Sequence, residues 1–390
     1  MIMPLAAQEL ASLDLEPHTA AILDRRLKKR TQGPYRPRSE ADVAPRLQKF
    51  VNLQEGFESA TVSNVARLSG GASKEQFRFD VSNGNGQPQR FVIRMDPLES
   101  VVETSRSREF EAMRAFEGII PVPHAQWLDP DGAHMGEPAI ITTFIKGVTK
   151  PAGAPEANVS GLGTNIGASW RREMGDQFLQ HLVAMHSVKW DAGAFPSYSL
   201  PDADPLQSAR RHLDWWTRVW LEDAVDMHPV FPVIDGWLRD NMPPCDTFVF
   251  CHNDYRTGNY LIDEDARQIS AILDWELSHW GDFHDDLAGI IPKVLGHLDE
   301  EGEFLISGLM PRGEFLDRYC ALSGRTINPK TLHYYEVLQN YKSLTIILGS
   351  AYRVAMEQNN HQNVLQTWLC PAGHVFLAEI CRLLEEGPQQ

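Results

Sequence analysis

Phe248-Val249-Phe250-Cys251-His252-Asn253-Asp254-Tyr255-Arg256-Thr257-Gly258-Asn259-Tyr260-Leu261-Ile262-Asp263-Glu264-Asp265 is the stretch that decides the fold. It continues through Ile269–Leu273 into Asp274-Trp275-Glu276. Phe248–Cys251 is a short apolar run that predicts a strand, and a polar loop follows it. Tyr260–Ile262 and Ile269–Leu273 read as two strands of a hairpin around the Asp263–Asp265 turn. A hairpin brings its ends together. Asn259 precedes the first strand and Asp274 follows the second, so an amide oxygen and a carboxylate should meet at the open end. Asp254 stands on the loop just before. Taken singly, each of these residues would be a turn or cap residue. Together on this frame they predict three converging oxygen donors, which suit a hard cation such as Mg²⁺ beside a base.

On the N-terminal side, residues 58–147 alternate in polarity. Val62 to Phe79 runs to Asn83-Gly84-Asn85-Gly86, a hairpin turn signal. Arg90–Arg94 is the expected return strand. Phe110, Met113 and Phe116 mark a helix over Thr104–Phe116 that Pro121 and Pro123 end. Trp127-Leu128 and Ala139–Ile145 read as two more strands. Strands, one helix, then strands describe a small antiparallel sheet with a helix against it. Residues 1–57 read as a helical extension packed on one lobe. Within it, the basic run Arg25–Arg30 reads as a solvated helix end. Lys150–Ser169 is a Gly, Ala, Pro and Asn-rich loop, and residues 148–390 are mainly helical, with a long late helix over Tyr334–Met356.

The 390 residues carry a net charge of −16, with 43% hydrophobic and 23% charged residues, which reads as a globular chain without a basic face for nucleic acid. Five cysteines without a Cys-x-x-Cys pair fit reduced thiols. His279 and His284 near Asp282 follow no zinc spacing. With no signal peptide and no uninterrupted run of about 18 apolar residues, neither a leader nor a membrane span is expected, and a cytoplasmic location is. A homodimer is compatible with the sequence.

His252-x-Asp254-x₄-Asn259 and Asp274-Trp275-Glu276 resemble the catalytic and metal motifs of the aminoglycoside phosphotransferase and choline kinase-like family. The wording Asp254-Tyr255-Arg256-x-Gly258-Asn259 with Gly281-Asp282-x₃-Asp286-Leu287-Ala288 is closest to the kinase-like domains associated with acyl-CoA dehydrogenases. The resemblance covers roughly residues 60–380. It implies a two-lobed, protein-kinase-like α+β fold, with a small β-rich lobe over 58–147 and a larger helical lobe over 148–390 around ATP. It implies transfer of the ATP γ-phosphate, with Mg²⁺, to a hydroxyl of a small molecule.

By that resemblance Asp254 is the base, His252 and Arg256 support its loop, and Asn259 and Asp274 hold Mg²⁺. Asp286 would brace the loop, through Arg256. Gly70, Gly71 and Ser73 belong to a loop over the phosphates. Arg94 stands where the family has a phosphate-contacting Lys, with Glu109 as its helix partner. Thr143 and Ile145 belong to the hinge that meets adenine. Glu276, Tyr341, Tyr352 and Arg353 are candidates for the acceptor pocket, although an aromatic stripe at helical spacing is ordinarily core. His186 is expected as a satisfied buried histidine. Arg94 in place of Lys, and a Gly loop short of Gly-x-Gly-x-x-Gly, keep a nucleotide-binding scaffold without turnover as a second reading. A metal-dependent phosphohydrolase using His252, Asp254, Asp274 and His284 is the third.

Overall fold

A computed structural model describes residues 9–30, 34–68, 73–84, 86–155, 163–202 and 204–388. Gly70, Gly71 and Asn85 lie outside the described residues. The fold is α+β with two lobes. In the smaller lobe, β1 (Thr61–Arg67), β2 (Glu75–Ser82), β3 (Gln89–Met95), β4 (Ala125–Asp129) and β5 (Ala139–Thr143) form an antiparallel sheet in the order β1-β2-β3-β5-β4. Phe77, Phe79 and Val81 alternate along β2 and face Ile93, Phe91 and Gln89 in register. Side chains in a strand alternate between faces. One face therefore buries Phe77, Phe79, Phe91, Ile93 and Met95 in a core closed by Val43, Leu47 and Phe50. The paired residues Gln76 and Arg94 point to the other face.

Helices α1 (Pro17–Lys29) and α2 (Glu40–Val51) precede the sheet. Ser39 and Asp42 form a reciprocal capping box that starts α2, with the Ser39 amide donating to the Asp42 carboxylate at 2.8 Å. α2 supplies Val43 and Leu47 to the sheet core, but α1 runs to the other lobe. The extension therefore bridges both lobes rather than packing on one. The basic run is correspondingly not a solvated helix end. Arg26 is 1% exposed and donates to Asp223 at 2.8 Å and to Glu222 at 2.7 Å. Arg30 pairs with Glu99 at 3.3 Å and also with Asp223. Buried charges persist only when paired, and these pairs were invisible in sequence because the partners are roughly 70 to 200 residues away.

The helix α3 (Arg106–Phe116) follows β3 and joins the larger core: Phe116 stacks on Trp275 with ring centroids 5.0 Å apart. At the hinge, Val148 bridges to Ile262. A side chain on Gly147 would stand 2.8 Å from Ser270 Oγ and 2.9 Å from Leu261 Cβ, so only glycine lets the hinge cross there.

The larger lobe is built from α4 (Ala168–Ser187), α5 (Gln207–Asp223), α6 (Val230–Asp240), α7 (Phe283–Ile290), α8 (Arg312–Ser323) and α9 (Pro329–Leu344). Among them lie β6 (Val249–Cys251), paired with β9 (His279–Gly281), and the hairpin β7 (Tyr260–Asp263) and β8 (Gln268–Ile272). The late helix is not continuous. After α9 the backbone widens to a π-helix over Thr345–Ala351, then resumes as α10 (Tyr352–Glu357). Within it Gly349 lies against Trp220, where a Cβ would sit 3.4 Å from the ring. Beyond it, α11 (Asn363–Leu369) and α12 (Gly373–Glu386) complete the lobe. The helical run Asn363–Glu386 is long and apolar enough to cross a bilayer by length and composition alone, with a mean hydropathy of 1.2 in its most apolar window. In this fold α12 packs on α9 and buries Phe376, Ile380 and Leu383.

Candidate active site

The hairpin behaves as its sequence requires. Tyr260 pairs with Ile272, and the Leu273 amide donates to Asn259 O at 2.7 Å. That bond pins Asn259 beside Asp274. The Asn259 Nδ2 donates to Asp254 Oδ2 at 2.6 Å and to Asp254 O at 2.9 Å. The amide Oδ1 is thereby left as the acceptor atom, the one a cation would use. Arg256 Nε donates to Asp254 Oδ1 at 2.9 Å.

His252 is fully buried and ties the two loops. Its Nδ1 accepts from the Asp254 amide at 3.3 Å, and its Nε2 meets Leu273 O at 3.0 Å. This sets the proton on Nε2, since a carbonyl can only accept. Asn253 and Asp274 both have left-handed backbones, with φ of 63° and 66°. Asn and Asp visit this region more readily than most residues. Both bends are held by neighbours, the Asn253 bend by Asp286. Asp286 Oδ2 accepts from the His252 amide at 2.7 Å and Oδ1 from the Asn253 amide at 2.5 Å. Asp286 thus braces the loop through backbone amides, and its Oδ2 also meets His186 at 3.1 Å. His186 also meets Tyr319 Oη at 2.8 Å, and is a satisfied buried histidine. Burial alone would raise the Asp286 pKa, but these donors hold it below the ordinary carboxylate value.

Ser73, Arg94, Asp254, Arg256, Asn259, Asp274 and Glu276 all line one cleft of about 500 Å³. Arg94 pairs with Glu109 as the strand–helix reading expects, and its other nitrogen donates to Asp274 Oδ1 at 2.7 Å. Glu109 itself is buried behind Arg94 and also pairs with Arg106. Glu276 is on the cleft wall, but its carboxylate is committed. It accepts from Ser73 Oγ at 2.9 Å and Thr104 Oγ1 at 3.0 Å, and pairs with Lys74 at 3.3 Å and Arg106 at 3.2 Å. Burial opposes its ionisation, yet Lys74, Arg106 and Arg94 hold its carboxyl well below the usual range. Its oxygens tie Ser73, Lys74, Thr104 and Arg106 to the Asp274 turn and are not free for an acceptor.

Five sequence candidates lie away from this cleft. Thr143 and Ile145 are not among its lining residues, and the Thr143 hydroxyl accepts from the His124 amide at 3.1 Å. Tyr341 is 1% exposed and packs on Phe231 at 5.4 Å, so the core reading of the aromatic stripe applies to it. Arg353 is buried and paired with Asp223, Glu99 and Glu357. Tyr352, its neighbour, does not line the cleft either.

Two cleft lysines escaped the sequence reading. Lys74 is 1% exposed and pairs with Asp96 and Glu276, both at 3.3 Å. Lys342 donates to Asn253 O at 2.7 Å from α9. Lys342 sits in the last turn of α9, whose sequence also carries Lys330 and Glu336, so nothing in the sequence singled it out. Val102, Leu277, Val294, Ile346, Ile347 and Phe376 add apolar surface to the same lining, beside Gln76, Gln339, Ser343 and Gln366.

The sequence profile of the phosphotransferase enzyme family, APH, matches residues 64–320. The chain belongs to that family. Among solved structures, this phosphotransferase is similar to a candidate aminoglycoside phosphotransferase from Ralstonia eutropha, at 20% identity and a TM-score of 0.61 over 89% of this chain and 99% of the other. An ethanolamine kinase of Plasmodium vivax gives 12% identity and a TM-score of 0.52, covering 85% and 86%. A thermostable mutant of aminoglycoside phosphotransferase APH(4)-Ia, bound to ADP and hygromycin B, gives 14% and 0.51, covering 86% and 98%. At these identities the likeness shows the fold. In sequence, the phosphotransferase is 24% identical to "Probable acyl-CoA dehydrogenase IBR3" of Arabidopsis thaliana over 73% of its own length, and 23% identical to acyl-CoA dehydrogenase family member 11 of Pongo abelii over 81%. It spans 36% and 40% of those two proteins.

Proposed function

We propose that this phosphotransferase moves the γ-phosphate of ATP to the hydroxyl of a small, largely apolar molecule in a cytoplasmic setting. The observation that carries the reading is the convergence of Asp254, Asn259 and Asp274 on one cleft wall. In this reading Asp254 accepts the hydroxyl proton of the acceptor while Arg256 and Asn259 hold its carboxylate in position. Asn259 Oδ1 and the Asp274 carboxylate are hard oxygen donors that fit Mg²⁺, which would neutralise phosphate charge when bound. Arg94 turns from Asp274 toward the phosphates, a role its planar guanidinium can perform bidentately. The apolar wall around Ile346, Ile347 and Phe376 favours an acyl or other lipid-like alcohol, a hydroxyacyl-CoA for example, over a polycationic aminoglycoside. Likeness to the dehydrogenase-associated proteins points the same way.

One observation favours a nucleotide-binding scaffold instead: Arg94 already occupies Asp274, the residue that would hold the metal. Calorimetric titration of ATP with and without Mg²⁺ separates the two, followed by turnover assays on hydroxyacyl-CoAs and aminoglycosides. Binding that needs Mg²⁺ and is lost in Asp274→Ala, with phosphorylation of an acyl alcohol, is the expected result. Mg²⁺-independent ATP binding without turnover on any alcohol would establish the scaffold.

A further inference from the structure

Behind the 252–259 loop, three elements bring metal-binding side chains to one point. His212 comes from α5, His279 from β9 and Asp285 from α7, and their ligand atoms all lie within 4.8 Å of one another. None of the three lines the cleft that holds Asp254 and Asp274. We propose that His212, His279 and Asp285 bind a divalent transition metal of the zinc class.

The contact directions carry the argument. His212 Nδ1 stands 2.7 Å from Asp285 Oδ2, yet neither ring nitrogen of this 4%-exposed histidine has a hydrogen-bond partner among the described residues. Ligands of a tetrahedral zinc stand roughly 3.3–3.5 Å apart, so His212 Nδ1 and Asp285 Oδ2 would separate by about 0.6–0.8 Å to share an ion. His279 Nε2 lies 3.2 Å from the same carboxylate oxygen. Its Nδ1 lies 3.4 Å from Leu277 O, an acceptor, and 3.4 Å from Asn253 Nδ2, a donor. Room for that ring depends on Gly281, where a Cβ would stand 2.9 Å from His279 Nε2.

The surroundings complete a second layer of support. Gln339 donates to Asp285 Oδ1 at 2.6 Å, which orients the carboxylate and leaves Oδ2 in the cluster. Asn253, the residue before Asp254, donates to Oδ2 at 3.1 Å. A cavity of about 40 Å³, lined by Ser208, His212 and His279 among others, lies beside the two histidines and has space for a water. Two imidazoles and one carboxylate with an open position suit zinc or ferrous iron far better than Mg²⁺. The metal would tie α5, β9 and α7 together and steady Asn253 beside the Asp254 carboxylate.

The test is elemental analysis of the full chain, purified without a histidine tag, with zinc titration of chelator-treated protein followed by thermal unfolding. The expected result is about one zinc or iron per chain, retained in Asp274→Ala and lost in His212→Gln and His279→Gln. Zinc, but not Mg²⁺, should then raise the Tm of the stripped wild-type protein by several degrees. The wild-type titration stands even where a variant fails to fold. Metal below about a tenth of an equivalent together with no zinc-dependent Tm shift overturns the proposal. Full zinc retention by the His212→Gln/His279→Gln double variant overturns it equally.

Discussion

Asp274 holds a left-handed backbone and shares its carboxylate with Arg94, while Asp254 is held by Arg256 and Asn259. The two aspartates do different work, so their variants should fail differently. Asp254→Asn is expected to lower turnover by about a thousandfold or more while ATP affinity stays within a few-fold, since it removes only the proton acceptor. Steady-state kinetics beside calorimetry checks this; normal turnover in Asp254→Asn would mean that another group is the base. Asp286 acts one step back, through two backbone amides. Its folded pKa lies below the ordinary value, so its contribution to stability is present above about pH 4 and is lost as pH falls through the folded value. Urea midpoints measured between pH 7 and pH 3 should fall more steeply in the wild type than in Asp286→Asn. Equal slopes would remove Asp286 from the acid response.

At the scale of elements, α1 is joined to α5 and α10 by charge rather than by apolar contact alone. Asp223 on α5 receives Arg26 from α1, Arg353 from α10 and, just beyond α1, Arg30. Removing one member of a buried ionic cluster leaves its partners desolvated and unpaired, a loss of about 3–5 kcal/mol. Arg26→Ala should therefore lower the denaturation free energy by that amount without changing the cleft, read as a shift in the urea midpoint. A change below about 0.5 kcal/mol would mark the pairs as no stronger than surface bridges. The π-turn after α9 has a matching consequence. It turns Ile346 and Ile347 to the cleft, so Ile347→Glu should cut kcat/KM for an acyl alcohol about tenfold or more and leave ATP affinity alone.

For the whole molecule, the cleft between lobes is spanned by Arg94 to Asp274 and by Lys74 and Ser73 to Glu276. Ligand binding at such a seam stabilises both sides together. Mg²⁺-ATP at about a hundred times its Kd should add about 2.7 kcal/mol to the unfolding free energy. Asp274→Ala should lose that increment, and thermal or urea unfolding with and without nucleotide reads it. An unchanged increment would show that Asp274 is not part of the nucleotide site.

Local chemistry determined the 248–276 unit: a hairpin must join its ends, so Asn259 and Asp274 were legible as neighbours before any fold was known. The small sheet was legible for the same reason, because the alternation of Phe77, Phe79, Phe91 and Ile93 is a one-dimensional record of which face is buried. For Glu276, Tyr341 and Arg353 the sequence records a charge or a ring but not its partner. Glu276 meets Lys74 from about two hundred residues earlier, and Arg353 meets Glu99 from even further away. The pairing of His212 with His279 and Asp285 belongs to the same class: β9 and α7 are adjacent in sequence, but α5 reaches them only by packing. Spacing rules describe contacts the chain makes with itself over a turn or a hairpin. Contacts made by packing depend on which buried faces find each other, and only the tertiary structure decides that.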